Sequence, residues 1–453
     1  MGERADVITI GMGIGGEAVA GSLAEGGLDV IGIDANLVGG ECPYWGCIPS
    51  KMMIRAANLL AEARRIPGTA GAVTLKPDWA PVAARIREQA TDNWNDQVAV
   101  DRFEGKGGRF VRGRARIEGP GVVTVDGTAY EADRAIVVAV GTDPALPPIP
   151  GLADVDHWTN REAIQIDELP RSLIVLGAGA IGTELAQVFA RFGVEVTVIE
   201  ALDRLVPLEE PEAGQVLAEA FAADGIKVHV GARATAVHDG ANGISVTLDD
   251  GAIVTAERLL VATGRRTDLA GLGWANLGLD PDARFAAVDD HMRVIGTEGL
   301  WAVGDITGHG LFTHVAAYQA PIATAAIQNS PGEGADYRAL PRVTFTDPEV
   351  GSVGLTEAAA RDAGRPVTAV SQLVPHSARG WLHGPGNEGL VKLVIDDDRQ
   401  VLVGATSVGP HGGEVLGMLT LAVHAEVPVA TLRSMIYAYP TFHRAVEDAL
   451  NQL

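Results

Sequence analysis

Cys42 and Cys47 are the only cysteines in 453 residues, five positions apart in Gly39-Gly40-Glu41-Cys42-Pro43-Tyr44-Trp45-Gly46-Cys47-Ile48-Pro49-Ser50-Lys51. Two thiols cannot make a framework of structural disulfides. A zinc site wants about four ligands, and the histidines are scattered without Cys/His spacing, so no metal is expected. A pair that opens and closes a disulfide needs its Cα atoms within about 6 Å of each other, which a helical turn just after a loop provides. A helix N-terminus and a nearby cation both favour the thiolate, and Lys51 follows Cys47 by one helical turn. Redox work by a dithiol is the chemistry that these residue types suit.

The elements that must position such a pair appear as an internal repeat. Val7-Ile8-Thr9-Ile10 leads into Gly11-Met12-Gly13-Ile14-Gly15-Gly16, and a second apolar run, Val30-Ile31-Gly32-Ile33, ends at Asp34. Leu173-Ile174-Val175-Leu176 leads likewise into Gly177-Ala178-Gly179-Ala180-Ile181-Gly182, and Val194-Glu195-Val196-Thr197-Val198-Ile199 ends at Glu200. In both copies the acid follows the first glycine by twenty-three positions. Each copy reads strand, glycine turn, helix, strand, acid. Gly11, Gly13 and Gly16, like Gly177, Gly179 and Gly182, permit a tight turn and close approach of backbone to a pyrophosphate at the helix N-terminus. Asp34 and Glu200 would accept hydrogen bonds from a ribose. Two dinucleotides are therefore expected. Paired strand-then-glycine segments, residues 136–142 with Gly141 and residues 259–264 with Gly264, close the two stretches. Pro144, Pro147, Pro148 and Pro150 make a stiff crossover between them. A third such strand, residues 300–305, ends in Gly304-Asp305, and from about Pro341 short strands and helices suggest an appended α+β domain.

Composition narrows the partners. The chain is long enough for two to four domains. A formal charge of −23 argues against nucleic acid or an anionic membrane as partner. No apolar run approaches a membrane span, and residues 7–10 enter a strand where a secretory signal would have a basic start and an apolar stretch. The cytosol is the expected address.

The segment from Gly39 to Lys51 resembles the dithiol helix of the flavoprotein pyridine nucleotide-disulfide oxidoreductases, which include dihydrolipoamide dehydrogenase, glutathione reductase and mercuric reductase. Residues 300–305 are similar to that family's second FAD motif, and residues 343–354 to the opening of its dimerisation domain. The resemblance implies an α/β fold: two Rossmann-like dinucleotide-binding domains plus a C-terminal α+β dimerisation domain. An FAD domain over residues 1–148 and 265–335 would be interrupted by a nicotinamide-binding domain over 149–264. An interface domain would fill 336–453, and a homodimer would be the working form. Cys47 would be the flavin-proximal thiolate, and Cys42 the interchange thiol that meets a small-molecule disulfide or related electrophile. Asp305 would bind the flavin's ribityl region. Lys51 would sit near flavin N5, paired with Glu184 beside the nicotinamide. NADH is expected over NADPH, because a 2′-phosphate would meet Glu200; Arg204 is the one nearby group that could accommodate it.

The chain departs from the family near its end. Where most members carry His-Pro-Thr-x-Ser-Glu, residues 439–444 read Tyr439-Pro440-Thr441-Phe442-His443-Arg444. The resemblance places Tyr439 at the position of the histidine that protonates a leaving thiolate across the dimer interface, and Arg444 at that of the orienting glutamate. A phenol ordinarily titrates near ~10 and matches poorly with thiols that titrate near ~8.5. An arginine cannot orient a base as a carboxylate does. His443 could take over the role, although helix from Thr441 onward would turn it away from the Tyr439 position. Tyr439 before Pro440 suits the cis bond that the family uses at this corner. Tyr44 and Trp45 are bulkier than the residues common between the cysteines. Two alternatives use the same electron path: a C–S-cleaving enzyme like 2-ketopropyl coenzyme M oxidoreductase/carboxylase, and a metal-ion reductase.

Overall fold

A computed structural model describes residues 2–453 and divides the chain into two compact units. One holds the residues up to Pro49 together with Ala84–Ala145 and Arg265–Asp336; the other holds Ser50–Ala83, Leu146–Gly264 and Tyr337–Leu453.

The first unit is built on a seven-stranded sheet. Val7, Ile8 and Ile10 lie between neighbours on both sides and are almost wholly buried, which is why this strand reads as a continuous apolar run. The sheet runs Arg109–Arg112, Val30–Asp34, Glu3–Ile10, Thr128–Val138, Val122–Val125, Ala115–Gly119, and Leu300–Ala302 pairs in parallel with Thr128–Val138. The helix Ile14–Glu25 packs on the helix Thr313–Ile327. Gly15 makes their approach possible, since a Cβ there would lie 3.2 Å from the Val303 side chain and 3.3 Å from that of Ala316.

The second unit carries the second copy of the repeat in a parallel sheet ordered Lys227–His229, Glu195–Ile199, Ser172–Leu176, Arg258–Val261. A three-stranded antiparallel sheet, Ala234–Gly240, Gly243–Leu248 and Ile253–Ala256, accompanies it. The same unit contains the change of pattern expected near Pro341. Its five-stranded antiparallel sheet starts with Pro341–Thr344 and Glu349–Gly354. A buried cluster joins that sheet to the helices Gly412–His424 and Arg444–Leu450. Among the described residues no helix is long and apolar enough to cross a membrane.

Candidate functional site

The two glycine turns share the same backbone pattern. The first glycine of each sits at positive φ, +88° at Gly11 and +98° at Gly177. A Cβ on the third would fall 1.9 Å from the Gly11 carbonyl oxygen at Gly16, and 2.0 Å from that of Gly177 at Gly182. The second glycine is different. Around Gly179 no atom lies within 4 Å of a Cβ position, and around Gly13 only the Gly40 Cα does, at 3.9 Å. At Gly179 nothing in the protein fills the space that the glycine leaves, and at Gly13 only the Gly40 backbone borders it; a phosphate group brought against the backbone at a helix N-terminus would fit beside either.

The terminal acids fasten the same turns. Asp34 Oδ2 accepts the Met12 N–H at 2.6 Å and Oδ1 the Asn36 N–H at 2.7 Å. Glu200 Oε2 accepts the Ala178 N–H at 2.7 Å and Oε1 the Leu202 N–H at 2.8 Å. Burial pushes the Asp34 carboxyl up from its ordinary pKa, and the bonds from Met12 and Asn36 oppose it. The acids expected to meet a ribose thus also lock the glycine turn to the strand. Gly141 and Gly264, at φ +66° and +132°, likewise have open space where a Cβ would stand.

In the first unit, the loop after the second strand bends back over the glycine turn. The Gly39 N–H donates to the Met12 carbonyl at 2.7 Å. A single helical turn, Glu41–Tyr44, follows Gly40 at φ +71°, and the helix Cys47–Arg64 starts at the second thiol. No disulfide joins the cysteines. The hydrogen bond with Cys47, and next burial, push the Cys42 thiol well above its ordinary pKa. Cys47 Sγ lies 3.3 Å from Thr313 Oγ1. Asp305 Oδ2 accepts from Thr142 Oγ1 at 3.0 Å, and Arg265 Nε donates to that hydroxyl at 2.7 Å. Burial raises the Asp305 pKa and the Arg265 charge opposes the rise. Sequence reasoning missed Thr313, Thr142 and Arg265. Thr142 and Arg265 follow directly on the strand-closing Gly141 and Gly264, which was a usable signal; Thr313 carries none.

In the second unit, Lys51 Nζ donates to Glu184 Oε2 at 2.8 Å and lies 4.6 Å from the centre of the Phe345 ring. The other oxygen of Glu184, which is buried, accepts the Phe345 N–H at 2.8 Å. The Tyr439–Pro440 bond is cis, as its sequence suits. Tyr439 is 69% exposed, with the Arg444 guanidinium 5.3 Å from its ring centre and Arg444 Nη1 at 3.1 Å from Glu447. The helix considered from Thr441 begins only at Arg444, and His443 stands at its N-terminal boundary. His443 lines an open cavity of about 430 Å³ with Arg379, His411, Glu414 and Phe442, and Tyr439 is not part of that lining.

Comparison with known proteins agrees with this geometry. The profile of the pyridine nucleotide-disulphide oxidoreductases matches residues 5–320, and that of the family's dimerisation domain matches residues 340–450. A dihydrolipoyl dehydrogenase of Thermus scotoductus is 32% identical over 465 residues, covering 99% of this chain and 97% of that protein. A mercuric reductase of Streptomyces lividans is 32% identical over 462 residues, covering 98% and 95%. Among solved structures, the HOCl-induced flavoprotein disulfide reductase RclA of Escherichia coli superposes with a TM-score of 0.86 at 25% identity, over 98% of this chain and 99% of that one. LpdA of Mycobacterium tuberculosis gives 0.85 at 26% identity, over 99% of each chain. The glycine turns, the paired thiols and the full-length matches together make this chain a member of the pyridine nucleotide-disulphide oxidoreductases, flavoprotein enzymes that bind FAD and a pyridine nucleotide and carry a dimerisation domain.

Proposed function

We propose that the protein is an NADH-dependent, FAD-containing reductase that passes two electrons through the Cys42–Cys47 pair to a small-molecule disulfide or related electrophile. The reading is of a cytosolic homodimer. With a disulfide the balance is NADH, a proton and RSSR giving NAD⁺ and two RSH. The observation that carries it is the unlinked thiol pair on the loop that closes the first glycine turn, with Cys47 Sγ 3.3 Å from Thr313 Oγ1. Gly11, Gly13, Gly16, Asp34, Gly141 and Asp305 would hold FAD, which would supply the two-electron relay between the nicotinamide and the dithiol. The nicotinamide cofactor would take Gly177, Gly179, Gly182, Glu200 and Gly264.

The residues divide the remaining work. Cys47 would hold the thiolate toward the flavin side, and Cys42 would give up its proton to attack the substrate as a thiolate. Thr313 places its hydroxyl against Cys47 Sγ. Thr142 and Arg265 orient the Asp305 carboxylate toward its ribityl role. Glu184 fixes the Lys51 ammonium between its own carboxylate and the Phe345 ring. NADH is favoured because Glu200 offers a carboxylate where a 2′-phosphate would lie, while Arg204 is engaged by Asp203 at 2.9 Å and by the Pro207 carbonyl.

The C-terminal corner favours a second reading for the final acceptor. By their register in the family's motif, Tyr439 and Arg444 take the positions of the usual proton-cycling pair, and such proton delivery contributes roughly 10²–10⁴-fold. A metal ion as acceptor leaves no thiolate to protonate. Relatives carry the name mercuric reductase, and RclA has been solved as a Cu(II) complex.

The experiment is a stopped-flow and steady-state comparison with NADH against disulfides, metal ions and quinones. Two-electron reduction should give long-wavelength absorbance that Cys47→Ser removes. A spectrum unchanged by Cys47→Ser takes the dithiol out of the electron path. NADH should reduce the flavin quickly, while simple disulfides turn over slowly. If His443→Ala abolishes disulfide turnover and Tyr439→Phe leaves it intact, the proton passes through His443 and not through the Tyr439 position.

A further inference from the structure

Residues 86–96, in the same unit as the dithiol, depart from regular backbone twice in succession. The helix Ala80–Arg85 passes into a π-helical turn, Ile86–Ala90. Three consecutive non-glycine residues then take left-handed backbone: Asp92 at φ +46°, Asn93 at +55° and Trp94 at +55°. Runs of left-handed residues other than glycine are rare, and π-turns and such strain gather at functional sites, where surrounding contacts must hold them. The holding contacts are present. Buried Thr91 donates from its hydroxyl to the Ile86 carbonyl, and the Asn93 N–H donates to the Arg87 carbonyl at 2.7 Å.

The contorted turn delivers two side chains to the dithiol loop. The Trp94 indole Nε1–H donates to the Tyr44 carbonyl at 3.2 Å, at the end of the one-turn helix that carries Cys42. Asp96 Oδ2 accepts the Val38 N–H at 2.7 Å, just before Gly39-Gly40, and also pairs with Arg112. The two attachments bracket Cys42 on both sides. Between them the chain contains Gly39 and Gly40, both at positive φ, where it is freest to shift.

We propose that Trp94 and Asp96 are positioning residues that hold the Cys42 segment in its dithiol arrangement and so set the equilibrium between dithiol and disulfide. This rests on the redox role given to the pair above. Closing the bond joins Cys42 Sγ to Cys47 Sγ and releases two protons and two electrons, the electrons leaving through the bound FAD. The bonds at Val38 and Tyr44 are made with the cysteines unlinked, so any shift of the Cys42 turn on closure works against them.

The test uses the FAD-loaded enzyme, equilibrated in glutathione redox buffers with the cysteine state read by mass after alkylation. Trp94→Phe keeps an aromatic ring and removes the donor. It should move the equilibrium roughly three- to tenfold toward the disulfide, the scale of one net hydrogen bond, with FAD content unchanged. Asp96→Asn, which weakens the other attachment, should move it the same way and carries the test alone if Trp94→Phe fails to load FAD. An unshifted equilibrium in both variants, with or without a fall in Tm, overturns the proposal and leaves the turn as ordinary packing. A parent enzyme whose cysteines never form the disulfide overturns the redox reading and the positioning role with it.

Discussion

The two glycine turns share one construction and differ in what lies above them. In both, a carbonyl at the second position is held by the loop beyond the acid, Gly39 N–H to Met12 in one and Val206 N–H to Ala178 at 2.9 Å in the other. Over the first turn that loop continues into Gly40 and the dithiol, and a Cβ on Gly40 would lie 3.0 Å from the Gly13 Cα. Over the second, the space beside Gly179 is open. A turn roofed by its own chain suits a cofactor that stays through the catalytic cycle, and an open turn suits one that exchanges each time. The glycine pattern alone does not distinguish the two; the following loop does.

The third glycines offer the most severe way to break this comparison. Gly16→Ala and Gly182→Ala each drive a Cβ to about 2 Å from a carbonyl oxygen, a clash expected to cost more than about 4 kcal/mol locally. Gly16→Ala should yield protein without FAD. Gly182→Ala should retain flavin absorbance and lose NADH oxidation. Loss of FAD from both variants would show that the two turns do not act separately.

The second glycines sharpen it. Gly179→Ala meets no protein atom, so stability should change by less than about 0.5 kcal/mol. NADH affinity should fall about tenfold, ~1.4 kcal/mol, as the new methyl group occupies the phosphate's space. Fluorescence titration with NADH alongside thermal melting checks both halves. Unchanged affinity would mean that the pyrophosphate lies elsewhere.

The smallest effect concerns coenzyme choice. Glu200→Gln keeps an acceptor for the Leu202 or Ala178 N–H and removes the charge, so the preference for NADH over NADPH in kcat/KM should narrow by about tenfold. A parent that uses NADPH as well as NADH would already refute the role given to Glu200.

Much of the site could be read in the sequence because its signals are local. The glycine spacing, the acid twenty-three residues on and the paired cysteines each depend on one turn and its flanking strands. The Lys51–Glu184 pair was legible only through family resemblance, because 133 positions separate its members. Trp94 escaped notice because an isolated tryptophan in a polar stretch has no periodicity, and its importance comes from backbone angles that no composition displays.

The sequence by itself determined the α/β class, the two glycine turns and the paired cysteines, since each is encoded by residue types at short, fixed spacing. Only the tertiary structure decided which groups surround that pair. Thr313 reaches Cys47 from 266 residues away, and Arg265 reaches Thr142 from 123. Such contacts arise when distant segments share a sheet or its covering helices, and the hydrophobic burial that drives this association is nearly blind to which polar side chains it brings together.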